Sequence, residues 1–379
     1  MLLDTSNGPL IATQVHISGN EGGAKRLNVF LTNAPSHGAI TGMSLRKQLS
    51  RHPNAQLGHL PTPLERLPNL GKQLDLDLWV KRDDCTGIAM GGNKVRQLNY
   101  YLGKAKAHGA TQVLITGAVQ SNFTRTTAAM AAILGMGCHI QLEERVANPT
   151  ELYRSNGNVL LDHLLGATLY SYPDGEDEAG ADARLGEIAA HLKAQGETPF
   201  IVPLSGNQPP TGALGYADAA IELIEQGQEF DRIFIASGSA LTHCGVLFGL
   251  RAMENTTPVT GVCVRRQQEV QKQRVKQRLE DLAQLLQMPN PATDDDIILD
   301  DAALAPGYGR MGPTAEAAIT RTARSEGLFL DPVYTGKVMA GLIACAPEMI
   351  GQRVLLWHTG GQPALFAYAD GFTGVIKSV

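Results

Sequence analysis

From Leu57 onward two kinds of apolar pattern alternate along the chain. Short runs rich in β-branched residues, "LWVKR", "QVLITGA", "CHIQLE", "TLYSYP", "PFIVPL", "RIFIASG", "VTGVCV" and "RVLLWHTG", are near-continuously apolar, as strands buried on both faces must be. Between them apolar positions recur at helical spacing: Val95, Leu98, Leu102 and Ala105, the alanines of "TTAAMAAILG", and the Leu and Ile positions of "ADAAIELIEQ". This alternation predicts βαβ units and a mostly parallel sheet, so the fold class is α/β. The first 55 or so residues, weakly periodic and rich in Gly, Asn and Ser, predict an irregular arm. The acidic "TDDDIILDD" predicts a surface connection, and "RRQQEVQKQRVKQR", Arg265 to Arg278, a solvated helix face.

Composition narrows the field of functions. With 379 residues, 43% of them hydrophobic, the chain is large enough for about two domains. No apolar segment reaches the roughly 18 residues of a membrane span, and no signal-peptide pattern opens the sequence. A net charge of −5 without a basic, aromatic-interleaved stripe argues against nucleic acid as partner. The five cysteines are scattered, without a CxxC pair, and the histidines form no HExxH, so no metal site is expected. Reduced thiols in a cytoplasmic protein are the expectation.

In open α/β sheets ligands bind beyond the carboxyl ends of strands. Three polar loops of small residues stand there. "IFIASGSALTHCG" places Ser237, Gly238, Ser239, Ala240, Leu241 and Thr242 between a strand and an apolar helix, where backbone N–H groups and the helix dipole can hold a phosphate. It is neither a Walker loop nor GxGxxG, and an ordinary strand-to-helix turn is an equal reading. "GAVQSNFTRTTAAMAA" puts Ser121 and Asn122 at an N-cap, with Phe123 and Arg125 one turn in, facing a ligand at that terminus; a plain cap also accounts for Ser121. "WHTGGQPALFAY" repeats the scheme with Thr359, Gly360 and Gly361. Finally, "AMGGNKVRQL" sets two glycines before Lys94 at a helix start. The glycines permit close backbone approach, while burial and the helix dipole favour the free amine, which can react with an aldehyde.

Taken together, "LPTPLERL", "LWVKRDD", "GGNKVRQL", "QSNFTR", "NGNVLLD", "GALGY", "ASGSALTH", "PGYG", "DPVYTGKVMAGLI" and "HTGGQPALFAY" resemble the D-cysteine desulfhydrase and 1-aminocyclopropane-1-carboxylate (ACC) deaminase group of pyridoxal-phosphate enzymes, over about residues 57 to 370. The resemblance implies a tryptophan-synthase-β-like fold of type II, with two open, twisted, mostly parallel sheets. It implies a large domain of residues 56–95 and 205–379, a small one of 96–204, and a homodimer. By the same analogy Lys94 carries the pyridoxal phosphate, with Asn93 beside it, and Ser237 to Thr242 hold its phosphate. Asn122 meets the ring substituent, and Ser121 meets the substrate carboxylate or shares in proton transfer. Phe123, Thr359 and Gly360 line the substrate space, Tyr308 and Tyr334 flank it, and Thr335 faces the pyridine nitrogen.

The implied reaction is α,β-elimination on a small amino acid, with D-cysteine giving pyruvate, hydrogen sulfide and ammonia. Alternatives are ACC-deaminase or cysteate sulfo-lyase activity, or a cofactor-binding protein without turnover. Three departures from the family pattern bear on the choice: Phe123 replaces a polar residue, Gln97 replaces a lysine near the phosphate, and Pro209 and Pro210 stiffen a loop that is usually glycine-rich.

Overall fold

The computed structural model describes residues 44–203 and 208–372. A short helix, α1 (44–49), precedes β1 (Leu64–Arg66), α2 (Pro68–Leu74), β2 (Asp77–Arg82) and α3 (Lys94–Ala107). There follow β3 (Gln112–Ala118), α4 (Asn122–Ile133), β4 (Gly137–Glu143), α5 (Glu151–Ser155), α6 (Asn158–Leu164), β5 (Thr168–Tyr172), α7 (Glu178–Ala194) and β6 (Pro199–Val202). The chain continues through α8 (Thr211–Glu225), β7 (Arg232–Ser237), α9 (Leu241–Ala252), β8 (Val259–Cys263), α10 (Gln268–Leu286) and β9 (Ile298–Asp300). It ends in α11 (Pro313–Glu326), α12 (Thr335–Cys345) and β10 (Arg353–His358).

The strands form two sheets. The larger has order β1-β2-β10-β7-β8-β9, parallel except for β1; the smaller, β5-β4-β3-β6, is wholly parallel. Every residue of β8 is buried, and in β10 all but Arg353 are, which is why these strands lack a polar face. The eight strands expected from the sequence are present, and two more close the larger sheet. β1, inside "LPTPLERL", pairs Leu64 with Lys81 on β2. β9 lies inside the acidic stretch expected to be a connection: Thr260 and Val262 of β8 pair with Ile298 and Asp300. The part of the irregular arm covering residues 1–43 lies outside the described residues. Residues 44–49 depart from it, being helical with Leu45 and Leu49 buried in the main core.

A buried ionic knot ties the turn after β2 to α3, α8 and β10. Asp83 accepts from Arg96 Nε at 3.1 Å and Nη2 at 3.0 Å, from Tyr216 at 2.6 Å, Trp357 Nε1 at 2.8 Å and Thr62 at 2.8 Å. The same Arg96 donates to Glu222, which also takes the ammonium of Lys81. Burial on its own raises the Asp83 carboxyl, yet the Arg96 guanidinium and the hydrogen bonds hold it below its ordinary range. Among the described residues no helix is long and apolar enough to cross a membrane, and no His/Cys/Asp/Glu group can hold a metal.

Candidate active site

The loop that delivers Lys94 is strained along its length. Ala89, Met90, Gly91 and Gly92 all have positive φ, at 43°, 66°, 69° and 117°. Two of them carry a Cβ, for which the left-handed region costs on the order of 1–2 kcal/mol each. At Gly91 a side chain is impossible, since its Cβ would stand 1.8 Å from the Asp84 carbonyl oxygen. Arg125 supplies the restraint. Its buried guanidinium donates through Nη1 to the carbonyls of Ala89 and Gly91, the latter at 3.2 Å, and through Nε to Asn158 at 3.2 Å. Arg125 therefore clamps the lysine loop from behind and does not face a ligand, which corrects the sequence expectation. Thr86 bonds both backbone groups of Gly92, and the Asn93 N–H donates to Thr359 O at 2.9 Å. A Cβ on Gly360 would lie 2.5 Å from Gly92 Cα, so these two loops meet backbone to backbone.

Lys94 opens α3 and points into a cleft between the sheets. Its Nζ donates to Gln97 Oε1 at 3.2 Å and lies 5.0 Å from the centre of the Phe123 ring. Burial in the cleft wall pulls its pKa down to about 8. Gln97 passes the contact on, donating to Thr242 Oγ1 at 2.8 Å, which also accepts from Asn93 Nδ2 at 2.9 Å.

Opposite stands the loop before α9. Ala240 takes the left-handed conformation at φ 73°, and the carbonyls of this loop are taken up by side chains: Gly238 O accepts from Gln271 and Arg266, and Ser239 O from Arg274. The first N–H groups of α9, which have no intrahelical acceptor, stand at the cleft. Ser237 is the exception in this stretch. Its hydroxyl is buried behind the loop between His243 Nδ1 and Gln271 Nε2, and it does not line the cleft. Burial drives His243 down to about 4, so it is a neutral packing group.

Ser121 is the N-cap of α4, accepting from the N–H groups of Phe123 and Thr124 at 3.2 and 3.3 Å, while still lining the cleft. Asn122 Oδ1 accepts from Asn158 Nδ2 at 3.1 Å, which joins it to the Arg125 clamp. On the far wall Tyr308 and Tyr334 share a 2.8 Å hydrogen bond between hydroxyls, their rings edge to face. Burial first, then Tyr308, pushes the Tyr334 phenol well above its ordinary pKa. The "PGYG" turn is held from beneath by Lys337, whose ammonium donates to the carbonyls of Leu304 and Gly307, each at 2.8 Å. Asp331 fixes the start of α12 by accepting from the N–H groups of Val333, Tyr334 and Thr335. Thr335 gives its hydroxyl proton to that carboxylate at 2.8 Å and is not among the cleft-lining residues.

The structure thus brings Asn93, Lys94, Ser121, Asn122, Phe123, Gly238 to Thr242, Tyr308, Tyr334, Thr359 and Gly360 to one cleft, with Ser237 and Thr335 set behind it. Sequence reasoning missed its arginines. Arg145, Arg265, Arg266, Arg274 and Arg278 line the same cleft, so the stretch expected to be a solvated helix face turns its arginines inward while Gln268, Glu269, Gln273, Lys276 and Gln277 stay exposed. Burial and its guanidinium neighbours hold Arg266 near 10. The available signal was position, since Arg265 and Arg266 directly follow the carboxyl end of the parallel strand β8.

Comparison with known proteins agrees with this geometry. The family model described as pyridoxal-phosphate dependent enzyme matches residues 55–360. A D-cysteine desulfhydrase of Klebsiella pneumoniae is 40% identical over 86% of this chain and 99% of its own. One from Salmonella typhi is 40% identical over 84% and 97%. The solved structure of an ACC deaminase homologue superposes with a TM-score of 0.78 at 33% identity, covering 86% of this chain and 97% of that one. An O-ureido-L-serine synthase, 17% identical with a TM-score of 0.58 over 88% and 96%, shares the fold. A lysine held on a strained loop, a helix N-terminus facing it and a family match spanning both sheets lead to one conclusion: the chain belongs to the pyridoxal-phosphate dependent enzymes.

Proposed function

We propose that this cleft catalyses α,β-elimination on a small amino acid with a leaving group at Cβ, D-cysteine being the first candidate, to give pyruvate, hydrogen sulfide and ammonia. The observation that carries the reading is Lys94, an amine with a pKa of about 8, set between the N-terminus of α9 and the Tyr308–Tyr334 pair in one cleft. Relatives at 40% identity named D-cysteine desulfhydrase supply the substrate.

The residues present fit pyridoxal phosphate. A partly neutral amine suits the aldehyde, and the α9 terminus with Thr242 suits the phosphate. Asn93, Lys94, Asn122 and the Gly238 to Thr242 loop would hold it, and when bound it supplies an electron sink for charge developing at Cα. Lys94 Nζ takes up the α-proton, for which a pKa near the working pH is favourable. Ser121, Thr359 and Gly360 orient the substrate carboxylate, and the Phe123 ring keeps water from the lysine. The Tyr308–Tyr334 pair donates a proton to the departing sulfur. The two sheets we assign to two domains, residues 96–204 carrying the smaller and residues 56–95 with 205–379 the larger.

The test is pyruvate and sulfide release from D-cysteine, L-cysteine and ACC. Stoichiometric pyruvate and sulfide from D-cysteine are expected. Ammonia and 2-oxobutanoate from ACC, with no sulfide from either cysteine, would overturn the reading.

A further inference from the structure

Lys337 is a buried ammonium without a carboxylate of its own. It is fully enclosed, and among the described residues no acidic oxygen lies within ion-pair distance of its Nζ. Its partners are two backbone oxygens, Leu304 O and Gly307 O, each at 2.8 Å. Asp331, whose charge bears on it from farther off, is already engaged by the N–H groups of Val333, Tyr334 and Thr335 and by the Thr335 hydroxyl. A charge taken out of water and given only neutral acceptors is costly, so packing alone would be better served by a methionine.

Both carbonyls belong to the turn that carries Tyr308. That turn has little backbone preference of its own: Tyr308 stands between Gly307 at φ 126° and Gly309 at φ 68°, and a Cβ on Gly307 would meet nothing within 4 Å. Its course is therefore set by side chains from outside. Tyr368 donates to Gly309 O after Tyr308, and Lys337 holds the carbonyls before it. Lys337 also lies one helical turn after Tyr334, the residue that caps α12, and the Val338 N–H bonds back to Tyr334 O at 3.0 Å. One end of the side chain is thus rooted in the helix that Tyr334 caps, and the other grips the turn of Tyr308. The two tyrosine hydroxyls keep their 2.8 Å separation only while these two supports stay in register.

We propose that Lys337 is a positioning residue for protonation of the leaving group: it sets the Tyr308 hydroxyl against that of Tyr334 while standing outside the cleft itself. This rests on the lyase reading above, in which the tyrosine pair gives a proton to sulfur. In that step the Cα proton passes to Lys94, the Cβ–S bond breaks with its electron pair on sulfur, and the phenolic proton completes hydrogen sulfide. The phenolate then regains its proton from water. Chloride leaving β-chloro-D-alanine is too weak a base to need such a proton, so elimination from that compound runs without help from the pair.

The experiment measures kcat/KM for pyruvate release from D-cysteine and from β-chloro-D-alanine in the wild type, Lys337→Met, Tyr308→Phe and the double variant, with urea unfolding of each. The ratio of the two constants cancels any general loss of folded or cofactor-loaded enzyme. Lys337→Met is expected to lower that ratio about tenfold, Tyr308→Phe roughly 10²-fold, and the double variant no further than Tyr308→Phe alone. A Lys337→Met protein that loses stability with its ratio unmoved, or losses that multiply in the double variant, overturns the positioning role and leaves the lyase reading standing. A ratio unmoved by Tyr308→Phe overturns the tyrosine assignment and the role of Lys337 with it. Turnover of neither compound by the wild type overturns the lyase reading and this inference together.

Discussion

Lys94 Nζ lies 5.0 Å above the Phe123 ring, and the ring rather than a carboxylate is its neighbour on that side. Ring attraction favours the ammonium slightly, but burial is the larger effect and brings the pKa to about 8. In protein stripped of cofactor, the rate at which added pyridoxal phosphate restores the visible band should climb about tenfold per pH unit below 8 and level off above it, as the amine loses its proton. Phe123→Ala admits water and should move the inflection toward the 10.5 of an ordinary lysine. Lys94→Ala should show neither band nor turnover. An inflection unmoved by Phe123→Ala would count against desolvation by the ring.

Tyr308 and Tyr334 share one hydrogen bond and are expected to act as a unit. Tyr308→Phe and Tyr334→Phe should each lower kcat by roughly 10²-fold, and the double variant by little more than either. Multiplying losses, read in a double-mutant cycle of kcat, would show that the two hydroxyls work independently.

Arg125→Met removes the clamp on Ala89 and Gly91 and the bond to Asn158, leaving buried acceptors without a donor. A loss of about 3 kcal/mol in urea unfolding is expected. Pyridoxal phosphate should also dissociate faster, because Lys94 rides on the released loop. Unchanged dissociation would separate the clamp from the site.

These contacts mark where sequence pattern stops being informative. The eight longer strands were legible from their β-branched and aromatic runs, most clearly in β8 and β10, which are buried on both faces and have no polar face to obscure them, and less so in β5, which has no buried residue. β9 was not, because three acidic residues stand just before it and an edge strand of three residues has no period. Gly91 and Gly92 announced a close approach, but left-handed Ala89 and Met90 leave no mark in composition. Arg125 was placed on the ligand side by helical position alone, and its length let it reach the loop behind instead. The arginines of 265–278 were misjudged because charge density reports solvation only where nothing lies opposite, and here a cleft does.

Asp83→Ala should be the most damaging substitution away from the cleft, costing on the order of 3–5 kcal/mol, since Arg96, Tyr216 and Trp357 all lose an acceptor. Its carboxyl is held below the ordinary range. The stabilisation is therefore complete above the unfolded pKa and fades as pH falls through the folded one. A wild-type unfolding free energy that declines below pH 4 more steeply than that of the variant is the expected signature.

The contact between Gly92 and Gly360 has a consequence for how the protein is made. The two glycines lie far apart in the described chain, yet Gly92 occupies the space that a side chain on Gly360 would need. During synthesis the lysine loop leaves the ribosome well before its abutment, which follows β10, the strand lying between β2 and β7. Until then Asn93 has no carbonyl to donate to and the wall beside Lys94 is missing. A chain cut short before Thr359 would thus carry the complete smaller sheet and still lack the wall of the cleft beside Lys94.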